Sequence, residues 1–442
     1  MPKPVVAVGR YEKPGESVQK VVELAGGIPG ARPGAKVFIK PNIVFWTRAV
    51  PFPKWGVLTT SRVVADVVKL LSDLGVTDIT IGEGIVADPK DKETPPHAFE
   101  TLGYNALAKR YGVKVKNVME GPFKKATLEG GETLRFHEDI LAADLVMDLP
   151  VMKTHNQTVV SLGIKNLKGT IDIPSRKKCH NADPEKDLHW WVSQLSDPMK
   201  SVFTLADGIY TLERGPAFDG RIRRSNLLVA SADALSADMV GATLLGWPPE
   251  KVPYLVHAAR RRGRSLDLST LDIRGEDVTA LSVPHEFDFA YQSDENGEMP
   301  GPLAKQGITG LFYRKYDTSM CTYCSGLNGL VLTAIRAAFK GAPFDKVEVL
   351  TGKKMEPAPG MKHTILLGKC IWEKNRNHPA IENALPIKGC PPSAEDILAA
   401  LKAAGIEAEP SLFANVEQLP GFFMARYAGK PEFDESFFRV EG

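Results

Sequence analysis

Apolar and polar positions over the first 260 or so residues fall into two alternating kinds of block. VVAVGR (5–10), the VFI core of AKVFIKPNIV (35–44), VTDITIGEG (76–84) and DLVMDLP (144–150) are short apolar runs of strand length. SVQKVVELAGG (17–27) and TTSRVVADVVKLLSDLG (59–75) instead space their apolar residues every three or four positions, which predicts amphipathic helices. Gly26 and Gly27 stop the first helix; a Thr or Ser caps the second, and Gly75 follows its end. Strand, helix and strand in turn predict an α/β fold, a doubly wound, mostly parallel sheet with right-handed crossovers.

In such a sheet the carboxyl ends of the strands lie on one side and ligands bind in the crevice beside them. Three strand ends here run into polar loops. Lys40 and Asn42 follow the second strand and Glu83 the third. DLVMDLP opens into VMKTHNQTVVSLGIKNLKGTIDIPSRKKCH (151–180), which holds Lys153, His155, Lys165, Asn166, Lys168, Arg176 and His180. Cations and amide dipoles on loops fixed by a rigid sheet point to an anionic small molecule; a solvated basic loop is the plainer alternative. Lys40, Asn42, Lys165, Asn166, Lys168, Arg176 and His180 are then the expected binding groups. His155, whose ordinary pKa lies near neutrality, is the expected acid–base group with Lys153 beside it. Glu83 is its carboxylate partner or an independent base, though Asn42 and Glu83 could equally cap neighbouring turns. Neither GxGxxG nor GxxxxGK[ST] occurs, so a dinucleotide or P-loop site has no support.

Further along, His180 and His189 are nine residues apart and do not make a helical metal pair. A helix through Trp190 and Trp191 aims one of them inward. Asp207, Glu213 and Asp219 surround a Gly- and Pro-rich turn, and Asp233 and Asp238 fall near a helix start, where carboxylates suit the dipole. From Ser265 to Gly307 the chain is rich in turn residues, which sets a boundary near 300: an α/β domain over 1–300 and a smaller α/β domain over 301–442.

The second domain holds Cys321 and Cys324 as CxxC before a helical pattern, Cys370 after an apolar strand, and Cys390 before the helix entry Pro391-Pro392-Ser393. Thiols at helix starts are favoured as anions and can be gathered around a metal. Zinc, a [4Fe–4S] cluster and a CxxC dithiol are the three readings. Zinc sites usually add a second tight pair, absent here, so CxxC with two distant cysteines, the last followed by proline, suits a cluster better. Cys179 lies outside this set, as a non-ligand thiol or a reactive one beside His180.

The segment KTHNQTVVSLGIKNLKG resembles the signature of the DUF362 family, proteins of undefined function that often carry an iron–sulfur module. The resemblance continues in KPNIV (40–44), IGEG (81–84), LADGIYTLERGPAFDG (205–220) and SADALSADMVGATLLGWPPEKVPYL (231–255), in the family's order over roughly the first 265 residues. It implies a fold and points to the cluster; it supplies little chemistry.

At 442 residues, two domains are the natural prior. The 55 basic and 53 acidic side chains leave a net charge of +2, which gives no nucleic-acid footprint. RRRGR (260–264) reads as a helix C-terminus. With no secretory h-region and no membrane-length apolar run, a cytoplasmic protein with reduced cysteines is expected. The leading expectation is an oxygen-sensitive [4Fe–4S] oxidoreductase acting on an anionic small molecule, with an electron-donor protein as partner and a homodimer as one assembly open to it. A lyase or isomerase of a hydroxy or amino acid with a structural cluster or zinc, and an electron-transfer or metallocentre-assembly protein, are the alternatives.

Overall fold

Ten strands of the computed structural model make one large sheet, in which parallel pairs predominate. The structure describes residues 2–52, 54–86, 91–294 and 297–440. The strands are β1 (Val5–Arg10), β2 (Lys36–Pro41), β3 (Asp78–Glu83), β4 (Lys114–Asn117), β5 (Leu145–Leu149), β6 (Val151–His155), β7 (Val159–Ser161), β8 (Val202–Glu213), β9 (Arg221–Ser231) and β10 (Asp272–Gly275). Their order is β10-β1-β9-β8-β5-β2-β3-β4; β6 pairs with β8, and β7 with β6. The run β8-β5-β2-β3-β4 is parallel throughout, while β9 is antiparallel to both its neighbours. The α/β expectation therefore holds, with one difference: β1 does not lie beside β2 but on the far side of β9.

Helix α1 (Glu16–Leu24) buries Val18, Val21 and Val22, and α2 (Ser61–Asp73) buries Val63, Val64, Val67, Val68 and Leu71, the spacing that the apolar pattern requires. Each such aliphatic contributes about 1.5–3 kcal/mol when fully buried. Thr60 caps α2 by accepting from the Val63 N–H, and Gly75 beyond it has φ +81°. A short helix α3 (Gly163–Asn166) follows β7. Then come α4 (Ala234–Leu244), capped by Asp233, and α5 (Pro253–Arg261), whose last turn holds Arg260 and Arg261.

The chain divides into two compact units. The first contains the residues up to Arg176, then His189–Phe287 and the chain from Glu417 onward; the second is Lys177–Leu188 with Asp288–Val416. The boundary thus falls a little before the expected residue 300, and the C-terminal segment belongs to the first unit, not to the cysteine domain. Its aromatic residues explain the return. Phe433 stacks on Tyr210 at 5.9 Å, Phe437 and Phe438 pack against the same ring, and the Tyr427 hydroxyl accepts from the Ile222 N–H at 2.8 Å. Within the turn-rich stretch, Tyr291–Asp294 pairs antiparallel with Gly297–Pro300; residues 295 and 296 lie outside the described residues.

The second unit carries a parallel sheet of β11 (Leu311–Phe312), β12 (Val347–Leu350), β13 (His363–Leu367) and β14 (Ala384–Ile387). Its helices include α6 (Thr322–Ala338), α7 (Lys369–Asn375) and α8 (Ala394–Ala403). Ser393 caps α8, accepting from the Asp396 N–H at 3.1 Å. Among the described residues no helix is long and apolar enough to cross a membrane.

Candidate functional site

Sheet register brings polar residues together where the parallel strands end. Lys40 of β2 lies opposite Asp148 of β5, which lies opposite Thr204 of β8. Lys40, fully buried, donates to Glu83 Oε2 at 2.9 Å, to the Pro41 carbonyl at 2.6 Å and to Asn166 Oδ1 at 3.4 Å. Glu83 also accepts the backbone N–H groups of Ile43 (2.8 Å) and Gly84 (2.6 Å). Asn42 donates to Asn166 Oδ1 at 3.1 Å and accepts from Lys153 Nζ at 2.7 Å. Lys153 further donates to the carbonyls of Val57 (3.0 Å) and Pro216 (3.4 Å). Asn166 donates to the Lys40 carbonyl and to Asp148 Oδ1 at 2.8 Å. The three strand ends therefore converge on one another.

Convergence changes the roles, however. Lys40, Asn42, Glu83, Lys153 and Asn166 are all buried and bond one another, in an interior where each unmet donor or acceptor would cost about 1–3 kcal/mol. They form the floor that positions the loop above them and do not present free groups to a solute. Glu83 is held by Lys40 and two amides, so these bonds make it a partner of Lys40 and not of His155. Burial pushes Lys153 down to about 7, and Glu83 opposes that shift. Burial likewise holds the Asp148 carboxyl well above its usual range, against the pull of Asn166 and Lys40.

The loop is fixed from beneath. Asp238 of α4 accepts the N–H groups of Gly163 (2.7 Å) and Ile164 (3.1 Å) at the start of α3, together with the Tyr254 hydroxyl at 3.0 Å. It anchors another helix, which corrects the expectation that it serves the dipole of its own. Burial raises Asp238 to about 7 against those three donors. Between about pH 4 and pH 7 the folded chain thus holds a proton that the unfolded chain has released, so rising pH costs stability across that window. Asp238→Asn is expected to remove this contribution: urea unfolding at both ends of the window should show the variant gaining on the wild type as pH rises. An unchanged difference between the two proteins would refute the assignment.

Arg176 is buried and ties the turn shut, donating to the carbonyls of Gly169 (2.7 Å) and Ile171 (3.1 Å). His155 is buried, with Nδ1 accepting from the Gln157 N–H at 3.1 Å, so a neutral imidazole there carries its proton on Nε2. Lys165 and Lys168, on α3 and the turn after it, are only half-buried. Burial together with Lys168 and Lys153 drives Lys165 well below the usual lysine range. His180 is not part of this group. It belongs to the second unit, where its Nδ1 lies 2.8 Å from the Thr318 carbonyl and its own carbonyl accepts from Lys353. Asp148 was missed from sequence, although a carboxylate inside the otherwise apolar LVMDL was a usable signal.

Residues 37–243 match the model of DUF362, a domain of unknown function. That stretch is similar to the DUF362 family. A thylakoid-associated protein of Synechocystis sp. is 26% identical over 251 residues, 56% of this chain and 74% of the relative. Among solved structures, a lactate racemase apoprotein from Thermoanaerobacterium thermosaccharolyticum aligns with TM-score 0.32 and 14% identity, over 55% of this chain and 57% of that one. The chain thus spans little more than half the length of that structure.

The whole lysine network lies inside the DUF362 match, and the four cysteines of the second unit lie beyond it. Cys321 is the N-cap residue of α6, Cys324 is in its first turn, Cys370 is the second residue of α7, and Cys390 precedes α8. A hydrogen bond from the Cys324 thiol, with the nearby N–H groups of Cys324 and Tyr323, lowers Cys321 to about 5. That same bond, burial and the charges of Cys321, Cys370 and Cys390 all raise Cys324. Lys177 Nζ lies 3.5 Å from Cys390 Sγ, and a Cβ at Gly368 would sit 3.2 Å from Cys324 Sγ. The four thiols therefore lie within one another's field, beside a cation. Among the described residues no group of three or more His, Cys, Asp or Glu side chains is arranged to hold a metal ion. Soft thiols spread over three helix starts are suitable donors for a [4Fe–4S] cubane, which takes one thiolate at each of its irons. Cys179 is buried and takes no place in this set.

Proposed function

We propose that this protein is an iron–sulfur oxidoreductase acting on an anionic small molecule, with a protein electron donor as its partner. Cys321, Cys324, Cys370 and Cys390 would hold a [4Fe–4S] cluster, which when bound supplies or accepts single electrons. The observation that supports this reading is that the CxxC pair, Cys370 and Cys390 come to three helix starts of one unit, with Lys177 Nζ 3.5 Å from Cys390 Sγ to offset negative charge on the thiolates. In the DUF362-like stretch, Lys168 would receive the carboxylate or phosphate of the substrate, with Lys165 beside it in the chain. His155 would give or take a proton at Nε2, and Lys40, Glu83, Asn42, Asn166 and Lys153 would hold that loop in place.

Metal and acid-labile sulfide analysis of protein purified without oxygen tests the cluster. About four irons and four sulfides per chain are expected, with an absorbance near 400 nm that bleaches with dithionite. Ser in place of Cys321 or Cys370 should remove that signal and leave the first unit folded. One zinc per chain and no sulfide would overturn the redox reading.

A further inference from the structure

We propose that Lys165 is a covalent binding residue, its amine condensing with the carbonyl of a 2-oxo acid whose carboxylate lies against Lys168. This rests on the reading that the DUF362-like stretch binds an anionic small molecule, and it names the class of that molecule. Lys165 differs from the two buried lysines beneath it in one respect that decides its chemistry. Lys40 and Lys153 each donate to three acceptors, the full complement of an ammonium group. Lys165 makes no hydrogen bond and no ion pair among the described residues, yet it is half-buried and stands three residues from Lys168.

A half-buried lysine without an acceptor, with other cations nearby, is disfavoured as an ammonium and is left as a free amine. The direction of its pKa agrees with that account. Its backbone is held: Asp238 takes the first two amides of α3, and Asn166, the next residue, is bonded to Lys40 and Asp148. The amine therefore stands on a fixed turn, as a positioned nucleophile requires. Partial exposure leaves it within reach of a solute.

The step needs no oxidant and no second reactant. The nitrogen lone pair forms a bond to the carbonyl carbon while the C=O π electrons move to oxygen, and a proton passes from nitrogen to that oxygen. The C–O bond of the carbinolamine then breaks as water leaves, taking the remaining amine proton, and a neutral imine joins Lys165 to the acid.

Pyruvate and sodium cyanoborohydride, added to the full-length protein, provide the test. Peptide mapping should find one reduced pyruvate adduct per chain, on Lys165, and Lys165→Gln, shown folded by its unchanged circular dichroism, should lose it. Equilibrium dialysis with labelled pyruvate separates the two ways of failing. Saturable pyruvate binding with no adduct at Lys165, or with labelling spread over surface lysines, would overturn the imine and leave the anion site standing. Absence of both binding and adduct would overturn the anion reading together with it.

Discussion

Replacing Glu83 with alanine should destabilise the first unit by about 3–5 kcal/mol, because it removes one half of a buried ion pair and leaves the other half charged in the interior. Lys40 and Glu83 are 0% and 1% exposed and 2.9 Å apart. The change also strips the Ile43 and Gly84 amides of their acceptor. Lys69→Ala, which breaks an exposed i,i+4 pair with Asp73, should cost less than about 1 kcal/mol and sets the scale for a surface contact. Lys40→Met combined with Glu83→Leu removes both charges and should recover a good part of the loss, since the penalty belongs to the unpaired ion more than to the pair. Urea denaturation of the four proteins measures this. A Glu83→Ala loss no larger than that of Lys69→Ala would mean that the interior of the network is wet, and the floor assigned to the site would fall with it.

The strand ends were legible because the signal for them is local. An apolar run followed by Lys-Pro-Asn or Gly-Glu-Gly needs no tertiary knowledge to be placed at a carboxyl edge, and in a parallel sheet those edges share a side. What each residue does there was not legible. Lys40 reads the same in sequence whether it meets a ligand or Glu83, and only the register of β2 against β5 and the return of α3 over both decide it. The helix caps show the same limit. Asp233 caps its own helix as the local pattern implies, whereas Asp238, five residues on, serves α3 from 75 residues away. The cysteine domain's end was misplaced for a related reason: Phe433, Phe437 and Phe438 pack on Tyr210, more than two hundred residues earlier, and no local pattern announces that pairing. His180 was grouped with the lysines by nearness in sequence, although the chain passes from one unit to the other just after Arg176.

Gly169→Ala should be nearly as damaging as the loss of Glu83, although it adds one methyl group. A Cβ at that position would lie 2.7 Å from Glu83 Oε1, 2.7 Å from Lys40 Cε and 2.8 Å from Lys40 Nζ. Ends of long side chains ordinarily swing aside, but here Glu83 is pinned by two amides and Lys40 by three acceptors. The methyl must therefore part the ion pair or lift the turn that carries Lys168, and Arg176 resists the second by holding the Gly169 carbonyl at 2.7 Å. Overpacking of this kind costs about 1–3 kcal/mol before any loss of the pair is counted. Gly329→Ala is the matched control, since that glycine is exposed within α6 and its Cβ would meet nothing within 4 Å. There the same methyl should stabilise by up to about 1 kcal/mol through helix propensity. Thermal unfolding gives the first comparison and labelled-pyruvate binding the second. If the turn is what holds the lysines over the floor, Gly169→Ala loses stability and binding together. If stability falls and binding is kept, the ion pair supports the fold alone, and the lysines above it are positioned by Asp238.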